Sequence, residues 1–158
     1  MRVIAAVIAL PLALAACITP PLVPGETREA DVIARYGPPS DRWTLPDGSR
    51  VFMYADTPMG YGSTRITVDR DSVVRSVEPV INEAHFARLR PGMTKEDVRH
   101  ELGRPGEVAR YPLLNEDVWS WRYVEFGNRR MFFNAHFDAN GYFKYASRTP
   151  EPRRPLRR

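Results

Sequence analysis

The residues that could support catalysis in this 158-residue chain are few and poorly spaced for it. The three histidines are His85, His100 and His136, and none stands in a His-x-x-x-His or Glu-x-x-His pattern. Because metal sites need several ligands at such spacings, the sequence predicts no metal site and no cofactor. Gly-x-Ser-x-Gly elbows and phosphate-binding loops are also missing from the sequence. We therefore predict that the chain is not an enzyme.

One arrangement would change that prediction. His136 lies between Ala135 and Phe137, which places it on the strand face opposite the apolar row. His100 and Glu101 are neighbours on a predicted helix and point to different sides of it. A hydrolase would require a pocket that joins His136 or His100 to a carboxylate and a nucleophile.

Cys17 carries a different kind of chemistry. It is the only cysteine, which excludes an internal disulfide and a cysteine-based metal cluster. A positive start and an apolar run of about 12 residues precede it, which is too short for a mature transmembrane helix and typical of a signal peptide. Residues 14–17, Leu-Ala-Ala-Cys, resemble a bacterial lipobox, in which the cysteine becomes the acylated N-terminus. The alternative is a plain secretory signal with an incidental cysteine.

We therefore predict a signal peptide over residues 1–16, then a lipidated Cys17 and an extended, proline-rich spacer over residues 17–24. Several acyl chains hold a protein stably, since each buried CH₂ contributes about 0.8 kcal/mol. In lipoproteins that this segment resembles, an aspartate after the cysteine retains the protein at the inner membrane. Ile18 stands there instead, so we expect a lipid-anchored protein of the outer membrane that faces the periplasm.

The net charge of +4 is concentrated at the C-terminus. Residues 148–158 carry five arginines against Glu151, which is +4, and Arg2 adds one charge, so the remainder is close to −1. Such a body is not a nucleic-acid surface. The segment 148–158 is rich in arginine and proline, and we predict a disordered tail. It either contacts anionic lipid, at about 1 kcal/mol per arginine, or only aids solubility.

The chain contains one internal repeat with a period of about 67 residues. The fold prediction depends on this repeat, because both copies are expected to form the same elements. Four segments of the first half match four of the second in the same order: 24–32 with 91–98, 36–39 with 102–105, 52–54 with 121–123, and 67–71 with 136–140.

Each copy predicts a short helix followed by strands. Thr94 is a good N-cap, Asp97 completes a weak capping box, and Gly103 suits a helix end. A further short helix is predicted over 81–89, and alternating aromatic residues over 119–137 predict strands. Segments 56–63 and 106–116 are predicted loops. The predicted fold class is α+β, a tandem repeat of short helices followed by a three-stranded antiparallel sheet, over residues 25–79 and 80–147.

The second copy resembles a known family. Its Gly92-Met93-Thr94 helix start, the Leu102-Gly103-Arg104-Pro105 stop and the aromatic strand Trp119–Tyr123 are similar to those of the BamE (SmpA/OmlA) family. Members are small lipoproteins of the Gram-negative outer membrane with a helix-helix-three-strand fold. The resemblance covers about residues 81–147, and residues 25–79 are a degenerate copy.

The resemblance implies a scaffold or accessory factor in β-barrel or envelope assembly that contacts other envelope proteins, because the best-known member is a subunit of the β-barrel assembly machine. The same pattern occurs in tandem in secreted proteins that inhibit β-lactamase. The alternative function is therefore a tandem-repeat binding or inhibitor module for an envelope enzyme. A concave aromatic surface would favour that alternative, and a flat, fully covered sheet would count against it.

Five apolar residues are candidate partner contacts. Met59 and Tyr61 lie in the Gly- and Pro-containing loop, which suits a contact but equally suits a plain connection. Phe132, Phe143 and Tyr145 exceed what one core face needs, so they are predicted on the opposite face of the sheet. The alternative is that a helix of the first repeat, and not a partner, buries that face.

Overall fold

The computed structural model describes residues 21–152. The predicted signal peptide, Cys17, most of the spacer and the arginines from Arg153 onward lie outside the described residues. The first half comprises helix α1 (Glu29–Tyr36) and strands β1 (Asp41–Thr44), β2 (Arg50–Ala55), β3 (Ser63–Val68) and β4 (Val74–Pro79). The second half comprises helices α2 (Glu83–Phe86) and α3 (Lys95–Leu102) and strands β5 (Glu107–Tyr111), β6 (Glu116–Glu125), β7 (Arg129–Phe137) and β8 (Phe143–Pro150).

The predicted fold class is wrong. The described part is mostly β, with two four-stranded antiparallel sheets in the orders β1-β2-β3-β4 and β5-β6-β7-β8 and a few short helices. The first strand of each sheet was not predicted from the sequence. Every residue of β5 is exposed, so the segment predicted as a loop over 106–116 has no apolar alternation that would reveal a strand. Strand β1 is only four residues long.

Helix α3 begins and ends as its sequence predicts. The hydroxyl of Thr94 accepts from the backbone N–H of Asp97 at 3.1 Å, and the Asp97 carboxylate accepts from the N–H of Thr94 at 2.8 Å. This capping box satisfies two N–H groups that the first turn leaves free. Gly103 follows the helix with a φ of 78°, which favours glycine. Helix α1 is capped less completely, because the Arg28 side chain at its N-cap cannot accept such bonds.

Each half has its own apolar cluster. In the first, Val32 of α1 packs against one face of the first sheet, which supplies Phe52, Ile66, Val68 and Val74. In the second, helices α2 and α3 cover the inner face of the second sheet. This larger cluster contains Phe86, Leu89, Val98, Leu102, Trp121, Tyr123, Phe133, Ala135, Phe137 and Phe143. The alternation predicted for β6 and β7 accounts for its strand residues.

Helix α3 also contacts the first sheet, on the face that α1 leaves free. A Cβ placed on Gly103 would lie 3.0 Å from Cγ of Met53. Arg99 pairs with Asp41 at 2.5 Å, and Arg65 donates to the carbonyl of His100 at 2.7 Å. The two halves therefore share this helix.

Strand β8 runs to Pro150, so it includes the first three residues of the predicted disordered tail, which starts at Arg148. Arg148 lies in this strand and pairs with Glu83 of α2 at 2.6 Å. The boundary predicted at residue 147 is therefore too early. Within residues 21–152, the helices are all too short or too polar to cross a bilayer.

Candidate functional site

A cleft of about 1100 Å³ lies where the loop between β2 and β3 meets the outer face of the second sheet. Met59 and Tyr61 of the loop form one side. Phe132 and Met131 of β7 also line the cleft. The cleft therefore depends on both halves of the chain, since neither half contributes all of its walls.

Arg122 holds the loop and the sheet together. Its side chain is only 10% exposed and pairs with Glu107 at 2.5 Å and with Glu151 at 3.0 Å. It also donates to the backbone carbonyl of Pro58, and its guanidinium lies over the Phe132 ring at 4.9 Å. A nearly buried guanidinium with that many partners keeps this side of the cleft in one geometry.

Tyr61 is fixed by the same cluster. Its hydroxyl donates to the Glu151 carboxylate, and this hydrogen bond is the main cause that lowers the pKa of Glu151. The same bond raises the pKa of Tyr61. Glu151 therefore stays ionised, and the phenol stays protonated, at neutral pH.

The rim of the cleft is basic and partly aromatic. The guanidinium of Arg130 lies over the Tyr61 ring at 5.5 Å. Arg129 is 69% exposed and pairs with Glu125 at the surface. These groups suit a ligand with apolar side chains and a negative charge.

The structure brings three of the five predicted contact residues together: Met59, Tyr61 and Phe132 all line the cleft. Tyr145 lies on the same outer face but outside the cleft, with its ring stacked on His136 at 4.2 Å. Phe143 is buried in the core, only 4% exposed, so its predicted place on the outer face is wrong. The pairing between β7 and β8 is irregular at His136 and Phe137, so that Phe143 faces Phe137 while Tyr145 faces His136. This bulge sends two residues that are two apart to opposite faces.

Arg122 and Arg130 were not predicted as site residues. No local signal marks them, because their role depends on the approach of a loop some 60 residues away. The alternation of side chains along β6 places Arg122 on the face opposite the apolar row. That alternation does not predict that the loop lies beside it.

A second polar cluster lies on the same outer face, across β6, β7 and β8. Nε2 of His136 lies 2.9 Å from the Ser147 hydroxyl oxygen, and Nδ1 lies 3.3 Å from Oε2 of Glu116. Glu116 is 5% exposed. Its carboxylate accepts hydrogen bonds from Lys144 and then from His136, and these lower its pKa. Neither Glu116 nor Ser147 was predicted as a partner of His136.

The other two histidines contact aromatic or acidic side chains. His100 stacks on Trp43 at 4.2 Å and lies 3.8 Å from the Glu96 carboxylate. His85 is buried and lies 2.6 Å from Glu101. Among residues 21–152, no group of three or more His, Cys, Asp or Glu is placed to hold a metal ion.

Comparison with known proteins does not assign this chain to a family. No protein-family model matches it, and no curated protein matches it either. Among solved structures, it is similar to a DUF4309 family protein, YjgB, from Bacillus subtilis. The two share 15% identity over 82% of each chain with a TM-score of 0.31, which is too low for any conclusion about function.

Proposed function

We propose that this chain is a lipid-anchored envelope protein that holds an extended segment of a partner protein in the cleft around Met59, Tyr61 and Phe132. The cleft itself is the observation that carries the proposal, because residues from both halves converge to build it. In this role the protein acts as a scaffold or accessory factor in outer-membrane assembly.

The chemistry of the cleft defines the partner segment. Met59, which is 55% exposed, offers apolar surface at the mouth of the cleft, and Phe132 forms part of the wall although it is only 7% exposed. Arg129, which is 69% exposed, adds a positive charge. Exposed ion pairs such as Arg129–Glu125 contribute only about 0–1 kcal/mol, so a partner carboxylate can replace Glu125. The segment therefore carries an aromatic or aliphatic side chain beside an acidic one.

The proposed anchor at Cys17 would concentrate the cleft at the membrane surface, where partner segments emerge. Replacement of Cys17 by serine removes the acylated thiol. We expect the Cys17→Ser protein to leave the membrane fraction and the unaltered protein to remain there. Equal membrane fractions for both proteins would contradict the anchor, and so would a mature chain whose mass shows no acyl groups.

A second candidate is an inhibitor module for a soluble envelope enzyme. The concave surface formed by Met59, Tyr61 and Phe132 favours it, because such a surface fits a protruding loop of a globular partner. The two candidates differ in the partner, which is a membrane assembly component in the first and a soluble enzyme in the second.

Site-specific photo-cross-linking separates them. A photoreactive amino acid replaces Met59 in the lipidated protein, and the control places it at Leu113, which is fully exposed in the β5–β6 turn. We expect position 59, and not 113, to capture a membrane assembly component. Capture of a soluble enzyme alone would favour the inhibitor, and equal capture at both positions would contradict the cleft.

Charge reversal then tests the basic rim. The double substitution Arg129→Glu with Arg130→Glu should weaken capture at position 59 by at least about tenfold, which corresponds to about 1.4 kcal/mol. Arg42→Glu with Arg75→Glu is the matched control, since both arginines are exposed and lie on the first sheet. An equal loss in the control would show that overall charge, and not the rim, governs binding.

A further inference from the structure

Three side chains on the outer face of the second sheet stand in the order carboxylate, imidazole, hydroxyl. They come from three adjacent strands or strand ends: Glu116 from β6, His136 from β7 and Ser147 from β8. The Glu116–His136 distance is 3.3 Å and the His136–Ser147 distance is 2.9 Å, and both are hydrogen-bond distances. This is the geometry of a nucleophile, its general base and the group that orients the base.

We propose that Ser147 is an activated nucleophile and that this face of the sheet hydrolyses small carboxylic esters. This activity goes beyond the proposed binding function and departs from the expectation that the chain is not an enzyme. It meets the condition set by the sequence analysis in part, since His136 does join a carboxylate to a hydroxyl. The site lies on a sheet face, however, and not in the cleft described above.

The imidazole is held in the orientation that the reaction needs. Oε2 of Glu116 lies at Nδ1, so the proton belongs on Nδ1 and Nε2 is free to accept from the Ser147 hydroxyl. The Tyr145 ring stacks on the imidazole with an interplanar angle of 14°. The buried Val118 is the cross-strand neighbour of His136. His136 therefore has little freedom to turn away from Ser147.

Glu116 is the positioning residue of the three. Its carboxylate is held by Lys144, and the Tyr145 hydroxyl lies 3.4 Å from Oε2. The hydrogen bond from Lys144 lowers the pKa of Glu116, so the carboxylate is ionised at neutral pH. An ionised carboxylate stabilises the imidazolium that forms when His136 takes the serine proton.

Asn134 supplies a donor near the reacting oxygen. Its Oδ1 accepts from the Ser120 hydroxyl at 2.8 Å, which turns the NH₂ group toward β8. There Nδ2 lies 3.1 Å from the Thr149 hydroxyl oxygen and 3.4 Å from that of Ser147. Asn134 is 8% exposed, so these contacts help to hold the Ser147 side chain beside His136.

The reaction balances with water as the only co-reactant. The Ser147 oxygen attacks the ester carbonyl carbon while its proton passes to Nε2 of His136. The tetrahedral oxyanion collapses, the carbon–alkoxide bond breaks, and the alcohol leaves with the proton from His136. Water then attacks the acyl–Ser147 ester with His136 as base, which releases the carboxylic acid and restores the hydroxyl.

The surroundings of Ser147 limit the substrate. The residue is partly exposed, between the exposed Ala146 and Arg148 on an edge strand. An open face of this kind binds little of the acyl group, so the substrate class is small, unhindered esters with good leaving groups.

Covalent labelling tests the proposal on the folded protein. A fluorophosphonate probe reacts with activated serines, and the adduct is located by peptide mass mapping. We expect one adduct on Ser147 and at least about 100-fold slower labelling in Ser147→Ala and His136→Ala, since activation by a general base contributes about 10²–10⁴-fold. Ser76→Ala, a partly buried serine of β4, is the matched control and should label like the wild type.

Two further readouts separate catalysis from a structural role. Added imidazole should restore labelling of His136→Ala but not of Ser147→Ala. The rate of p-nitrophenyl acetate hydrolysis should respond to imidazole in the same way in each variant. Glu116→Gln should slow labelling by about tenfold or more with the thermal transition retained. Labelling of the wild type no faster than Ser147→Ala, or an adduct on another residue, would overturn the proposal and leave a polar cluster that only joins the strands.

Discussion

The most informative stability test concerns Glu101 at the junction between the halves. This residue of α3 is 17% exposed and lies 2.6 Å from Nδ1 of His85, 3.2 Å from Arg88 and 3.5 Å from Arg65. Arg65 belongs to β3 of the first sheet, so the carboxylate joins both halves. The substitution Glu101→Gln keeps the size of the side chain and removes its charge.

The expected loss follows from those contacts. Removal of one partner from a buried ion pair costs about 3–5 kcal/mol. The ion pair with Arg88 contributes less than a buried pair, because Arg88 is 52% exposed and water screens the interaction. We therefore expect Glu101→Gln to lower the free energy of unfolding by about 2–4 kcal/mol at pH 7.

The loss should depend on pH in a defined direction. Burial raises the pKa of Glu101, but the hydrogen bond from His85 and the charge of Arg65 outweigh it, so the pKa lies below its ordinary value of 4.5. A carboxylate with a lowered folded pKa stabilises the protein above its unfolded pKa and loses that contribution as the pH falls through the folded pKa. The difference between wild type and Glu101→Gln should therefore shrink as the pH falls below 4.5.

Urea unfolding of both proteins at pH 7 and at about pH 3 measures these values. Glu96→Gln is the control, because Glu96 is on the same helix but 79% exposed, and its effect should stay within about 0.5 kcal/mol. A Glu101→Gln protein as stable as the wild type at pH 7 would refute the reasoning. The same loss at both pH values would refute the electrostatic part of it.

Two further substitutions test helix α3. Thr94→Ala removes the hydroxyl that accepts a hydrogen bond from the backbone N–H of Asp97. We expect the free energy of unfolding, measured by urea unfolding, to fall by about 1 kcal/mol. No change would show that the cap contributes nothing. Gly103→Ala introduces a Cβ 3.0 Å from Met53 at a φ of 78°, and we expect a loss of about 1–3 kcal/mol, measured as a lower Tm. A Tm equal to that of the wild type would mean that the two halves separate easily here.

The sequence predicts the elements whose signals are local. The cap of α3 depends on Thr94 and Asp97, which are three residues apart, and the alternation in β6 and β7 depends on the period of two along one strand. Strand β5 has neither signal, because all of its residues are exposed and only its pairing with β6 defines it. Because β5 was not predicted, the second sheet was predicted to have three strands instead of four.

Features that depend on pairing between distant segments could not be predicted from the sequence. Phe143 and Tyr145 are two apart and were predicted on one face, but the irregularity opposite them sends Phe143 inward. The same register brings Ser147 beside His136, and the sequence alone does not fix it. Met59 and Tyr61 were identified as candidates from their loop, whereas their meeting with Phe132 depends on tertiary packing.

Helix α3 has a consequence for how this chain can be divided. Val98 and Leu102 are buried with the second sheet, while Gly103, Arg99 and the His100 carbonyl meet the first. A fragment that stops at Pro79 would expose the face around Met53 to water, and it would be prone to aggregate. The two halves are therefore not independent modules, and we expect them to melt in one transition. A graft of either half onto another scaffold must bring this helix with it.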